Sequence, residues 1–292
     1  MNTSKFSELR TIEEVRLALR DALVPKYGER EAAAMARLAV MTIKGWDLPH
    51  LLADGHREAS PFVKGRAAEI LDALEKDMPI QYALGETSFY GLRLAVRPGV
   101  LIPRPETEEL VDIIVKENKR PDLRVLDFCT GSGAIALALA RSLPFSAVEA
   151  IDISPEALAV AEENAKALKA KVDFRLEDVF TFEIRPDSFD IIVSNPPYVD
   201  ESEKKDMEPN VLGYEPSIAL FVPDSDPLLF YRRIARLAAE GLVAGGRLYL
   251  EINPRHAGDL SRLLENGGFA EVEVLRDFNR RDRFITATKP KG

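Results

Sequence analysis

Apolar positions in the first quarter of the chain recur at helical spacing. Ile12, Val15, Leu19 and Leu23 fall on one helix face, as a 3.6-residue period requires. An alanine-rich segment over residues 29–43 predicts a second helix. A third is predicted to begin at Ser60, a good N-cap, with Pro61 at the first helical position and Phe62, Ala67, Ile70, Leu71 and Leu74 as its apolar face. Residues 1–78 therefore predict a small helical bundle, and no motif of chemistry falls there. Over residues 79–108 the pattern changes. Phe89-Tyr90-Gly91-Leu92-Arg93-Leu94-Ala95-Val96 reads as strand material with a turn nearby. The stretch Pro98-Gly99-Val100-Leu101-Ile102-Pro103-Arg104-Pro105-Glu106-Thr107-Glu108 follows, and its three prolines in eight residues argue against a helix and stiffen the path. By composition it reads as an interdomain linker; the alternative is a fixed loop lying over a cofactor.

From about Asp122 strand and helix patterns alternate to the end. Strands are predicted at 124–128, 147–153, 172–176, 189–194, 247–252, 271–275 and 283–288, and helices at 134–142, 155–168, 227–240 and 255–265. Such alternation predicts a parallel sheet covered by helices on both faces. The last two strands leave no room for a helix between them, so one is expected to run antiparallel at the end of the sheet. The charge run Glu201-Ser202-Glu203-Lys204-Lys205-Asp206 reads as a solvated loop, with a lid as the alternative.

Composition narrows the field. The 292 residues suit two domains. A net charge of −9 and a pI near 5.1 argue against a general nucleic-acid binder, so no direct DNA binding is expected. The single cysteine, Cys129, excludes an intrachain disulfide and fits a reducing compartment. No apolar stretch reaches membrane length, and a soluble, cytoplasmic, monomeric protein is expected. The three histidines, His50, His56 and His256, lack neighbouring ligands, and no metal site is expected.

The candidate chemistry sits at strand ends. Asp127-Phe128-Cys129-Thr130-Gly131-Ser132-Gly133 closes one strand and opens a helix. Glycines there let a ligand approach the backbone, and the helix start offers unpaired N–H groups. Asp152, at the end of the next strand, can accept from ribose hydroxyls. Asp178 can accept from an adenine amine, with Val179 and Phe180 walling the base; its alternative is a turn or cap residue. Gly131-Ser132-Gly133-Ala134-Ile135-Ala136 also fits a dinucleotide fingerprint, which keeps a nicotinamide dehydrogenase in view. Asn195-Pro196-Pro197-Tyr198, after the apolar strand 189–194, breaks the tie. The Asn oxygen and the first proline's carbonyl can both accept hydrogen bonds, the prolines add no competing N–H, and Tyr198 offers a face to a planar group. This is a pocket for a flat, NH2-bearing group. A methyl donor carrying adenosine explains both ends of the sheet.

Together these motifs resemble the release-factor glutamine methyltransferases, the PrmC/HemK family, over nearly the whole chain. Gln81-Tyr82-Ala83-Leu84-Gly85, Phe89-Tyr90-Gly91, the 98–108 stretch, residues 127–136, Asn195 to Tyr198, and Glu215-Pro216 with Ala219-Leu220 carry the resemblance. Its most distinctive part is 98–108, which overturns the linker reading. The resemblance implies an α/β fold: a seven-stranded class I S-adenosylmethionine-dependent methyltransferase (Rossmann-like) domain at 109–292, a β-hairpin and Pro-rich interdomain segment at 79–108, and a helical bundle at 1–78 for release-factor recognition. It implies S-adenosyl-L-methionine as cofactor and the glutamine of the Gly-Gly-Gln motif in peptide-chain release factors as acceptor. By position Cys129, Thr130, Gly131, Ser132, Gly133, Asp152, Asp178, Val179, Asn195 and Phe89 would meet the cofactor. Asn195, Pro196, Pro197 and Tyr198 would hold the glutamine, with Asn195, Pro196 and Tyr198 carrying the chemistry and Phe89 helping to exclude water. Two positions depart from the family: Cys129 stands where glycine is usual, which matters if φ must be positive there, and Asn253 replaces a glycine beside the pocket. The enzymatic rival is a DNA amino-methyltransferase, which shares Asn-Pro-Pro-Tyr but needs a basic groove. The other rival is a cofactor-binding module that docks on the translation apparatus.

Overall fold

The computed structural model describes residues 3–291; the first two residues of the expected bundle, and Gly292, lie outside the described residues. The chain divides into two compact units. One holds the residues up to Glu86 together with Glu208–Tyr214, the other Thr87–Met207 and the residues from Glu215 onward.

The first unit is helical: α1 (Thr3–Ser7), α2 (Ile12–Lys44), α3 (Leu48–Asp54), α4 (Pro61–Glu75) and α5 (Ile80–Leu84). Helix α2 starts in a capping box between Thr11 and Glu14. It is broken at Gly28, whose φ of 76° and ψ of 165° are not helical, so the two predicted helices are its two arms. Ile12, Val15, Leu19, Leu23, Ala36, Val40, Ile70, Leu71 and Leu74 form the core of this unit. Phe62 departs from expectation: it is 65 % exposed. The buried stripe of α4 runs Val63, Ala67, Ile70, Leu71, Leu74, and Phe62 lies one residue, about 100° of helix rotation, off that stripe. Among the described residues no helix is long and apolar enough to cross a membrane.

The second unit begins at Thr87, inside the first strand of a hairpin, β1 (Glu86–Phe89) and β2 (Leu92–Ala95). Positive φ at both Tyr90 and Gly91 gives the tight turn that matches strand twist. There follow α6 (Pro105–Glu117), β3 (Arg124–Phe128), α7 (Ala134–Ser142), β4 (Ala147–Asp152), α8 (Pro155–Leu168), β5 (Asp173–Leu176), β6 (Phe189–Ser194), β7 (Val199–Asp200), α9 (Pro209–Tyr214), β8 (Phe221–Val222), α10 (Leu229–Gly241), β9 (Leu242–Glu251), α11 (Ala257–Asn266), β10 (Ala270–Arg276) and β11 (Asp282–Thr288). Of these, α9 belongs to the first unit, where the Tyr214 hydroxyl donates to the Lys76 carbonyl at 2.5 Å.

Among the described residues the main sheet has seven strands in the order β10-β11-β9-β6-β3-β4-β5. Strands β9, β6, β3, β4 and β5 pair in parallel. Alternate strand residues enter two apolar clusters, as the two-residue period demands. Leu126, Ile192 and Leu248 pack with Ile234 and Leu237 of α10 and Leu260 and Leu264 of α11. Val125, Ile191 and Val193 pack with Leu110 and Ile114 of α6 and Leu137 of α7. The chain runs outward from β3 through β4 to β5, then crosses to β6 on the other side of β3. That reversal places the ends of β3 and β6 at the switch point where open α/β sheets take ligands.

Three elements differ from the sequence reading. Helix α6 starts inside the proline-rich stretch, because Pro105 occupies its first turn, where no N–H is required. The antiparallel strand is β11, which lies between β9 and β10 rather than at the edge. The charge run Glu201–Asp206 is a 3-10 turn, capped by a reciprocal Asp200–Glu203 box; it is not part of the cavity wall described below.

Cys129, just past β3, has φ of 59°, and Gly131 and Gly133 follow with φ of 56° and 78°. The position where the family prefers glycine is therefore left-handed, and Cys129 bears the strain of a side chain there. An alanine at 133 would crowd the Cβ of Ala161 at 3.1 Å. Cys129→Gly is expected to leave stability unchanged or higher, whereas Cys129→Val, β-branched at positive φ, costs roughly 2 kcal/mol. Urea unfolding of both proteins checks this, and equal tolerance of glycine and valine contradicts it.

Candidate active site

A cavity of about 260 Å³ opens at the ends of β3, β4 and β6. Its floor is the glycine turn: Cys129, Thr130, Gly131 and Ser132 all line it. The turn is shaped by carboxylates. Asp127, buried in β3, accepts the Thr130 hydroxyl at 2.6 Å. Burial pushes the Asp127 carboxyl up to about 7, against the Thr130 hydroxyl and the Ala136 N–H, which pull it down. Asp152 accepts the Gly131 N–H at 2.8 Å on one oxygen and the Ser154 N–H at 2.9 Å on the other. Each oxygen keeps a further lone pair. Burial raises the Asp152 carboxyl too, opposed by the backbone donors of Ser154, Gly131 and Ile153. Asn164 of α8 braces the turn from behind, donating to the carbonyls of Ser132 and Ala95 and accepting the Ala95 N–H.

Asp178 and Val179 form one end of the cavity. Asp178 is a turn residue as well, accepting the Phe180 N–H at 2.9 Å on one oxygen. Phe180 and Phe230, whose ring centroids are 5.0 Å apart, wall the same region. The thiol of Cys129 is pushed up by burial and by the charges of Asp152 and Asp127, so it is not a reactive thiolate. Among the described residues no cluster of three or more histidine, cysteine or carboxylate side chains could hold a metal ion.

The proline-rich stretch is also part of the wall: Gly99, Val100, Leu101, Pro103, Arg104 and Thr107 all line the cavity. Buried Glu215 fastens it, taking the Ile102 N–H at 3.2 Å and Arg104 at 2.7 Å. Asn195 and Pro197 complete the rim. Asn195 also lines a slot of about 30 Å³, shared with Leu101, Arg104, Tyr198, Val199, Ala219 and Leu220.

Around this slot runs a chain of hydrogen bonds. The Asn195 amide donates to Thr107 Oγ1 at 3.4 Å, Thr107 donates to Glu251 Oε2 at 2.6 Å, and the Tyr198 hydroxyl donates to Glu251 Oε1 at 3.0 Å. Burial pushes the Glu251 carboxyl up, against the Thr107 and Tyr198 donors and the charge of Arg283. Tyr198 is raised in turn by burial and by Glu251, and stays a neutral phenol. Asn253 donates to the Tyr198 carbonyl at 3.1 Å and to Glu203 at 2.7 Å, and accepts the Arg255 N–H. The residue that replaces the usual glycine thus pins the far side of the slot.

Most of the expected site residues meet here. Cys129, Thr130, Gly131, Ser132, Asp152, Asp178, Val179 and Asn195 line the cavity, and Tyr198 lines the slot. Three do not line either space. Gly133 lies beneath, as the cap of α7. Pro196 is buried between its two lining neighbours. Phe89 is the correction: it is 0 % exposed, in the apolar cluster beneath α6 and α7, because the Tyr90-Gly91 turn faces it into the core rather than over the methyl path. The sequence reading assigned no role to Arg104, Thr107, Phe230 or Glu251. Thr107 stood inside a quoted motif, but its partner is 144 residues away, a pairing no local pattern reports.

Comparison with known proteins bears on the family of the chain. Residues 106–211 match the methyltransferase small domain. The chain is 47 % identical to the release factor glutamine methyltransferase of Bacteroides thetaiotaomicron over 273 residues, 93 % of this chain and 98 % of that protein. It is 47 % identical to the protein of the same name from Flavobacterium psychrophilum over 220 residues, 74 % and 77 % of the two chains. Among solved structures, TrmN from Thermus thermophilus is 26 % identical, with 61 % of this chain and 48 % of that one covered and a TM-score of 0.44. At that level of identity to the two relatives, over almost their full length in the first case, the resemblance read from the motifs is borne out, and the chain belongs to the release factor glutamine methyltransferase family.

Proposed function

We propose that this protein transfers a methyl group from S-adenosylmethionine to the side-chain amide nitrogen of the glutamine in the Gly-Gly-Gln motif of peptide-chain release factors, acting as a cytoplasmic monomer. The observation that carries this reading is the placement of Asn195 on both spaces, the large cavity and the narrow slot. The large cavity fits the donor: Asp152 has lone pairs for ribose hydroxyls, Asp178, Val179, Phe180 and Phe230 suit an adenine ring, and the turn at 129–133 suits the amino-acid portion. When bound, S-adenosylmethionine supplies a methyl group on a positively charged sulfur. The helical unit at 1–78 is the part of the chain we assign to gripping the release factor.

An amide nitrogen is a poor nucleophile because its lone pair is delocalised into the carbonyl. Asn195 Oδ1 accepts one N–H of the glutamine, which holds the nitrogen in place; the Pro196 carbonyl, expected to take the other, lines neither space. Such positioning supplies roughly 7–11 kcal/mol in well-aligned systems, and fixed acceptors add more as the N–H groups become acidic. Tyr198 remains protonated and Glu251 has both oxygens engaged. The proton is therefore expected to leave to water or a backbone oxygen after the transfer.

Incubation with methyl-labelled S-adenosylmethionine and either release factor or duplex DNA tests the substrate. Label is expected on the release factor, lost when its Gly-Gly-Gln glutamine is replaced; label on DNA, or on neither, contradicts the proposal. Asn195→Ala is expected to lower kcat by about 10²–10³ with affinity for S-adenosylhomocysteine changed by no more than a few-fold, and comparable turnover refutes the role given to Asn195. Asp152 acts as a carboxylate, and its raised pKa means that it protonates at a higher pH than an ordinary aspartate as the pH falls. Affinity for S-adenosylhomocysteine should therefore drop as the pH is lowered, starting at a higher pH than the protonation of an ordinary aspartate would give. The Asp152→Asn protein, about tenfold weaker above that drop, should show a shallower one; equal slopes by calorimetry contradict the assignment.

A further inference from the structure

Glu251 ends β9 and is 1 % exposed. Its two carboxylate oxygens take the hydroxyls of Thr107 and Tyr198, at 2.6 Å and 3.0 Å, and its backbone carbonyl takes that of Tyr231 at 3.0 Å. Burying a carboxylate is costly unless donors meet it, and here both donors come from the site: Thr107 from the proline-rich wall, Tyr198 from the amide slot.

The consequence lies in the direction of one proton. An ionised carboxylate only accepts hydrogen bonds, and a threonine hydroxyl has one proton to give. With that proton on Glu251, the Thr107 oxygen has only lone pairs to offer Asn195. The Asn195 amide must then turn its NH2 toward Thr107, as it does at 3.4 Å, and its Oδ1 to the other side. Reversing the amide would set two oxygens against each other with no proton between them. From this chain we infer that Glu251 is a positioning residue for the methyl transfer, fixing through Thr107 which way the Asn195 amide faces. The inference rests on the substrate reading above, since an oxygen presented to the slot is useful only to an N–H donor. It also gives the site a basis for preferring an amide over a carboxylate side chain, which brings no N–H.

Three variants test it, each assayed at saturating cofactor and release factor. Thr107→Val keeps the shape and removes the hydroxyl; kcat should fall roughly ten- to hundredfold, with the Kd for S-adenosylhomocysteine within about threefold of wild type. Thr107→Ser restores the hydroxyl and should recover most of the lost rate. Glu251→Gln keeps one acceptor oxygen, which can still take the Thr107 hydroxyl while the NH2 donates to Tyr198, and should lower kcat by no more than Thr107→Val. The inference is overturned if Thr107→Val turns over at the wild-type rate, if Thr107→Ser is as slow as Thr107→Val, or if the Kd rises in step with the loss of kcat. The Thr107 pair decides the matter even where Glu251→Gln fails to fold. A wild-type protein that labels no release factor removes the substrate reading and this inference together; one that labels it while Thr107→Val keeps pace removes this inference alone.

Discussion

The parallel pairing of β3 with β6 is the constraint on which the site depends. Phe128 sits opposite Ser194 in that ladder, and the Ser194 hydroxyl donates to the Phe128 carbonyl at 2.7 Å. Both strands leave the sheet at the same end and at the same level. The next residue of one is Cys129, which opens the glycine turn; the next residue of the other is Asn195. A slip of one residue in either strand would turn every apolar side chain to the wrong face. The two burial clusters that flank the sheet therefore hold the donor turn and the amide slot side by side.

Buried acceptors then tie the loops to this frame. Asp152 draws the Gly131 N–H inward, Glu215 holds the proline-rich wall through Ile102 and Arg104, and Glu251 joins that wall to the amide slot through Thr107 and Tyr198. Each carboxylate is held by donors from a segment distant in sequence or across a turn. Loops are ordinarily the mobile parts of a domain; these are anchored by charge-assisted bonds, which are shorter and stronger than neutral ones. The acidic composition that argued against DNA is in part this set of internal anchors.

How far the site could be read in advance follows from the range of each signal. Strands β3 and β6, with helices α7 and α8, were legible because apolar positions meet local punctuation, such as the glycines at 131 and 133. The residues of the glycine turn and Asn195 were legible because their spacing carries chemistry. Helix α6 was hidden because proline is permitted in a first turn and forbidden later, and composition does not distinguish the two. Phe89 was misplaced because a two-residue turn decides which way its strand faces. Glu251 and Thr107 were silent because their meaning is a contact between distant segments. The position of β11 inside the sheet was hidden for the same reason: a short link between two strands shows that they pair, not which of them reaches β9.

The central claim is that the β3–β6 register presents the Asn195 oxygen to a primary amide beside the donor cavity. A crystal structure of the protein with S-adenosylhomocysteine and a Gly-Gly-Gln peptide tests this most directly. The account predicts the glutamine nitrogen within hydrogen-bonding distance of Asn195 Oδ1, between that atom and the cofactor's sulfur. A glutamine bound elsewhere, or an Asn195 that presents its NH2 to the peptide, would contradict it.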